Sequence, residues 1–139
     1  MRSNPHNDQK KLLIAELEKA AIKHTPENIL RITKYPSGKI VFLETGKGGE
    51  RGSGLLHILE NHWEDFLQRG ITEEQIPDLI ITAISEGTII GIQGKSRIIY
   101  QVEINGIIQY VSLEISPNGY LVSANPTPTR LINKLIQEW

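Results

Sequence analysis

The chain contains no cysteine, which excludes disulfides, thiolate zinc sites, iron–sulfur clusters and cysteine nucleophiles together. Aromatics are scarce, with two Phe, two Trp and four Tyr in 139 residues, and methionine occurs once. The apolar content is carried instead by 22 isoleucines, whose branching at Cβ favours sheet over a pure helix bundle. No apolar run approaches the ~18 residues of a membrane-spanning helix. Residues 1–11 lack the apolar core of a signal peptide, so neither membrane insertion nor export by this chain is expected. Chemistry is left to His, Tyr, Ser, Lys, Arg and carboxylates.

Net charge is −1, too small for a protein that coats nucleic acid through its overall field. The average hides a gradient. Residues 1–62 carry ten Lys/Arg against seven Asp/Glu, residues 63–87 one against six, and residues 88–139 four against three. Acid is concentrated in one middle segment, which leaves local basic surface available elsewhere.

The length suits one core. Leu12, Leu13, Leu17, Ala20 and Ala21 recur at helical spacing and predict an amphipathic helix over 8–24, stopped by Thr25-Pro26. Two β-prone runs, 29–35 and 39–45, flank Pro36-Ser37-Gly38 and read as a hairpin. Five glycines between Gly46 and Gly54 predict a flexible loop, with Ser53 capping a helix over 54–69. Thr72-Glu73-Glu74-Gln75 is a capping-box pattern for a second helix over 73–86, with Pro77 near its start. Strands follow at 88–93, 97–104, 107–115 and 120–125, and a short helix closes the chain over 129–139.

Asn105-Gly106 is the strongest turn signal, because a two-residue type I′ turn needs positive φ at both positions. It sets a register in which Ile104 faces Ile107, Val102 faces Gln109, Tyr100 faces Val111 and Ile98 faces Leu113. On the other face Arg97 meets Glu114, Ile99 meets Ser112 and Gln101 meets Tyr110. One face is mostly apolar and should carry the helices. The fold class expected is therefore α+β, with N-terminal helices on a C-terminal four-stranded antiparallel sheet. Residues 1–30 are expected to form an N-terminal helical segment, either separate or part of the same domain, and residues 31–139 the main domain.

Four histidines are candidates for proton transfer. His6 and His24 read as a tail residue and a helix-end cap. His57 and His62 are five residues apart on a helix, so their rings stand roughly 140° apart and cannot chelate one metal. With Leu55 at zero, Ile58, Leu59, Trp63 and Phe66 gather on one side with His62 among them. The wheel therefore reads His62 as a hydrogen-bonded core residue and His57 as the accessible one. The glycine loop lacks G-x-x-x-x-G-K-[ST], which disfavours a nucleotide-binding loop. No metal-ligand motif is present, so neither a metal nor a cofactor is expected. Arg97 has an ordinary reading in its cross-strand pair with Glu114, Tyr100 in core packing, and Asn125-Pro126 as a strand end.

The longer pattern adds a resemblance. Phe42-Leu43-Glu44-Thr45-Gly46 is followed by Gly54-Leu55-Leu56-His57-Ile58-Leu59-Glu60-Asn61-His62, Phe66 and Gly70-Ile71. Ile76-Pro77, Glu86-Gly87, Arg97-Ile98-Ile99-Tyr100 and Asn118-Gly119-Tyr120-Leu121-Val122-Ser123-Ala124-Asn125-Pro126 continue it. The run over 42–126 resembles the Barnase/EndoU/colicin/RelE-like (BECR) nuclease superfamily, particularly the C-terminal domains of contact-dependent inhibition and other polymorphic bacterial toxins, and phage proteins.

That resemblance implies helices followed by a four-stranded antiparallel sheet, and metal-independent cleavage of RNA, often tRNA, by 2′-hydroxyl attack. His57 and His62 match its histidines, Arg97 and Tyr100 its strand motif, and Ser123 and Asn125 its terminal motif. Lys47, Arg51 and Lys95 are the expected RNA contacts. It further implies a monomer acting in a bacterial cytoplasm after delivery within a larger secreted toxin, with a cognate immunity protein as partner. Two other readings stand beside it: a catalytically silent binding or immunity-like module of the same fold, and a metal-dependent DNA nuclease.

Overall fold

The structure is a computed structural model that describes residues 5–137, with side chains from residue 8 onward. The His6 side chain and the last two residues of the predicted closing helix lie outside the described residues. Helix α1 spans Pro5–Lys19, ending short of the predicted residue 24. The chain turns at Ala21, whose φ of 58° is left-handed. Ile22 N–H donates to Leu17 O at 3.0 Å and Ala21 N–H to Glu18 O at 3.1 Å, the paired closure that usually takes glycine. Ile22 and Leu17 share one apolar cluster, and that contact offsets a backbone strain of about 1–2 kcal/mol.

After a 3-10 turn at Pro26–Asn28, β1 (Ile29–Lys34) and β2 (Ile40–Glu44) form the predicted hairpin. Leu13 and Leu17 of α1 are buried against it with Ile29, Ile40 and Phe42. Helix α2 spans Gly54–Gln68, and α3 spans Ile76–Glu86 after a 3-10 turn at Glu73–Gln75. Thr72 N–H donates to Gln75 Oε1 at 2.9 Å, as the capping-box pattern requires. Pro77 sits in the first turn of α3, where its missing N–H costs nothing. Ser53 departs from expectation: its hydroxyl bonds the Tyr120 hydroxyl at 2.9 Å rather than capping α2.

Strands β3 (Thr88–Gln93), β4 (Arg97–Ile104), β5 (Ile107–Ile115) and β6 (Leu121–Pro126) form an antiparallel sheet in the order β3-β4-β5-β6, and α4 (Thr129–Gln137) follows. Asn105 and Gly106 have φ of 52° and 80°. The β4–β5 register is the predicted one, from Ile104 with Ile107 through Ile98 with Leu113. The fold is thus α+β, with four helices, a four-stranded antiparallel sheet and a two-stranded one.

The two sheet faces differ in chemistry. On one, Tyr100, Val102, Val111, Leu113 and Ala124 pack with Ile58 and Phe66 of α2 and Leu79, Ile80 and Ala83 of α3. Each fully buried Ile or Phe contributes about 1.5–3 kcal/mol. The other face carries Gln93, Arg97, Glu114 and Ser123 in one row and Ile99, Ser112 and Asn125 in the next. Leu135 of α4 covers the Gly91 end of that second row, 3.1 Å from where a glycine Cβ would stand.

The hairpin joins the sheet through a parallel bridge between Phe42 and Tyr120, with Phe42 N–H donating to Gly119 O at 2.9 Å. Gly119 has φ of 95°, and a Cβ there would lie 2.0 Å from Ile40 O. Glycine is what lets the two backbones come this close. Among the described residues no helix is long and apolar enough to cross a membrane.

Candidate active site at the edge of the sheet

Arg97 opens β4 on the polar face. Its Nη1 donates to Asn125 Oδ1 on β6, and Nη2 lies 3.8 Å from Glu114 Oε2 on β5. Asn125 is buried and spends its amide as well, donating to Gln93 Oε1 at 3.0 Å and Pro126 O at 2.9 Å. All four strands therefore contribute to one polar network. Ser112 and Thr127, both fully buried, are tied by a 2.8 Å bond between their hydroxyls. Ser123 is only 1% exposed, and its hydroxyl has no partner. It is closed to a ligand in this conformation.

Helix α2 runs along β6, the edge strand, and is tied to it at both ends. Ser53 bonds Tyr120 before the strand, and Arg69 Nη2 donates to Thr127 O at 2.7 Å beyond it. Between helix and strand end lies a cleft of about 270 Å³ lined by His62, Asp65, Arg69, Asn125 and the prolines 126 and 128. His62 Nδ1 stands 3.3 Å from Asp65 Oδ2. A carboxylate only accepts, so a neutral His62 carries its proton on Nδ1 and keeps the Nε2 lone pair. The wheel reads His62 as core, whereas its side chain is 22% exposed. Among the described residues no strand pairs with β6 past the Phe42–Tyr120 bridge, which leaves that flank of α2 without a strand beside it.

The structure separates the other expected members. Tyr100 is not beside Arg97: residues three apart on a strand face opposite sides, and Tyr100 lies in the helix-covered core, 1% exposed. Its hydroxyl bonds that of Tyr35, and burial together with this bond holds the phenol above its ordinary range. His57 sits one and a half turns before His62. Its Nδ1 meets Asn61 Nδ2 at 3.1 Å, and it does not line the His62 cleft.

Lys47 and Arg51 are exposed on the glycine loop at the opposite end of α2 from Arg69, while Lys95 is exposed in the β3–β4 turn two residues from Arg97. The loop itself is pinned, contrary to the expectation of flexibility. Lys47 and Ser53 exchange two 2.9 Å backbone bonds, and Gly49 N–H donates to Glu60 Oε2 at 2.9 Å. His24 also differs from its reading, with Nδ1 bonded to Ile22 O at 2.7 Å and Nε2 buried without a partner.

Arg69 is the residue that sequence reasoning missed. It holds Thr127 O and Thr129 Oγ1 through Nη2, both neutral acceptors, and no carboxylate pairs with it among the described residues. It forms no ion pair within 4.0 Å, although Asp65 lines the same cleft, whereas Arg97 faces Glu114. One signal was available: Arg69 is the lone cation of the acidic segment 63–87. Among the described residues no three His, Asp or Glu side chains converge as a metal site. No family model matches the chain, and no curated protein matches its sequence.

Proposed function

We propose that the chain is a metal-independent endoribonuclease of the BECR type that works from the His62–Asn125 cleft. The observation that carries this reading is one cleft holding an imidazole with its Nε2 lone pair unengaged, a guanidinium bonded only to neutral acceptors and an amide linked to a second guanidinium. Cleavage of RNA by its own 2′-hydroxyl needs a proton acceptor, a donor for the departing oxygen, and positive charge on the phosphorane. His62 Nε2 takes the 2′-hydroxyl proton as the 2′ oxygen bonds phosphorus. The bond to the 5′ oxygen then breaks, and the imidazolium returns the proton to it. Arg69 presents a planar guanidinium to the phosphate oxygens. The products are a 2′,3′-cyclic phosphate and a 5′-hydroxyl.

On this reading the substrate is RNA, with tRNA the first to test. The wider biology is that of a delivered bacterial toxin acting in the cytoplasm against a cognate immunity protein. The experiment is incubation with total RNA in EDTA, beside His62→Ala. Cyclic-phosphate ends that appear in EDTA and vanish in the variant are the expected result. Activity abolished by EDTA and restored by magnesium overturns it.

The engagement of Arg97 by the Glu114 carboxylate and the Asn125 side-chain oxygen favours a second reading, a silent binding module of the same fold. RNA that stays intact while the chain retains it on a filter would establish that one.

A further inference from the structure

At the other end of α2, away from His62, a cleft of about 320 Å³ opens between the segment after α1 and the start of β6, lined by Lys23, His24, Thr25, Glu44, Ser116, Asn118 and Tyr120. Glu44 is 7% exposed. It accepts one hydrogen bond, from Thr25 N–H to Oε2 at 3.2 Å, and pairs with no Lys or Arg among the described residues. The single backbone donor engages Oε2 alone and leaves Oε1 without a protein partner in a residue that lines the cleft.

His24, by contrast, turns its ring nitrogens away from the cleft. The 2.7 Å contact from His24 Nδ1 to Ile22 O puts the proton of the neutral ring on Nδ1, because a carbonyl only accepts. His24 Nε2 is then a buried acceptor without a donor. Tyr120 supplies an aromatic surface, held edge to face against Phe42 at 5.8 Å and by Ser53 through its hydroxyl. A carboxylate without an ion-pair partner beside a fixed ring calls for a cation that brings N–H donors and lies well on a π face.

We propose that this cleft binds a small organic cation with an ammonium or guanidinium head. Its N–H groups meet Glu44 Oε1, and its charge replaces the missing partner of that carboxylate. Glu44 is the one carboxylate that lines the cleft, which falls short of the three or four donors that a structural divalent ion takes from protein. The proposal is independent of the nuclease reading, since it uses none of the residues around His62.

The test is a titration of the full chain with methylguanidinium chloride and, separately, methylammonium chloride at constant ionic strength. Tetramethylammonium chloride and magnesium chloride serve as controls, and backbone amide NMR signals of Thr25, Glu44 and Tyr120 are followed. Saturable shifts confined to the cleft are expected from the first two salts. They should weaken by about tenfold in Glu44→Gln, which keeps an acceptor for Thr25 N–H, and tighten in Lys23→Ala, which removes a competing cation. Shifts that never saturate, an equal response to either control salt, or unchanged affinity in Glu44→Gln overturn the proposal. Should Glu44→Gln not fold, Lys23→Ala decides: affinity unchanged or lowered there has the same consequence.

Discussion

The Arg97 guanidinium reaches across β5 to bond the Asn125 side-chain oxygen two strands away. Among the described residues Asn125 is in turn the only side chain shared by the polar network and the His62 cleft, so it couples the sheet face to the helix flank. Asn125→Ala would leave an Arg97 donor and the Gln93 acceptor unsatisfied, at a cost of about 1–3 kcal/mol. Chemical denaturation should show a lower midpoint with an unchanged slope.

His62 and His57 should separate cleanly in kinetics. General acid–base catalysis contributes about 10²–10⁴-fold, so His62→Ala should lose that much in RNA cleavage. His57→Ala should stay within a few-fold of the parent, because its ring engages Asn61 rather than the cleft. Comparable losses in the two variants, measured as kcat/KM on one RNA, would contradict the assignment.

Arg69 should matter twice. Arg69→Ala removes the clamp on Thr127 O as well as the guanidinium charge, lowering both melting temperature and turnover. Arg69→Lys keeps the charge without the fork, so it should recover part of the turnover. A variant that melts earlier yet cleaves at full rate when folded would make Arg69 purely structural.

Tyr100 belongs to the core, and Tyr100→Phe should cost about 1 kcal/mol through the lost Tyr35 bond while leaving turnover unchanged. Its phenol is held above the ordinary value of about 10 by burial first and by Tyr35 second. The folded state therefore keeps this proton more tightly than the unfolded chain. Its contribution is full below about pH 10 and declines as pH rises beyond that. Absorbance at alkaline pH should show this phenolate appearing with unfolding rather than before it.

Gly119→Ala should be far more damaging than Gly38→Ala in the turn of the hairpin. Left-handed backbone costs about 1–3 kcal/mol, and the added methyl would overlap Ile40 O at 2.0 Å. Gly38→Ala shares the positive φ but meets nothing within 4 Å, so it should cost only about 1–2 kcal/mol. Thermal melts of the two variants make the comparison.

Short-range pattern carried most of the architecture. Positive φ at Asn105-Gly106 fixes a two-residue loop, and alternation along each strand then assigns every residue of β4 and β5 to a face. The Arg97–Glu114 pair and the burial of Tyr100 follow from that arithmetic. The α2 boundaries follow from Gly54 and Gly70, and the capping box from four consecutive residues.

What sequence could not decide depends on which surface meets which. A helical wheel ranks His62 with the apolar side but cannot know that α2 lies on an edge strand, where half of that side stays open. Arg97 and Asn125 are 28 residues apart and have no local rule joining them. They meet only once β5 has been laid between their strands. Arg69 and Glu44 became candidates only when tertiary packing showed what did not pair with them. Local propensity and periodicity act over a few residues, whereas compensation of charge is settled by every chain segment that arrives in the same space.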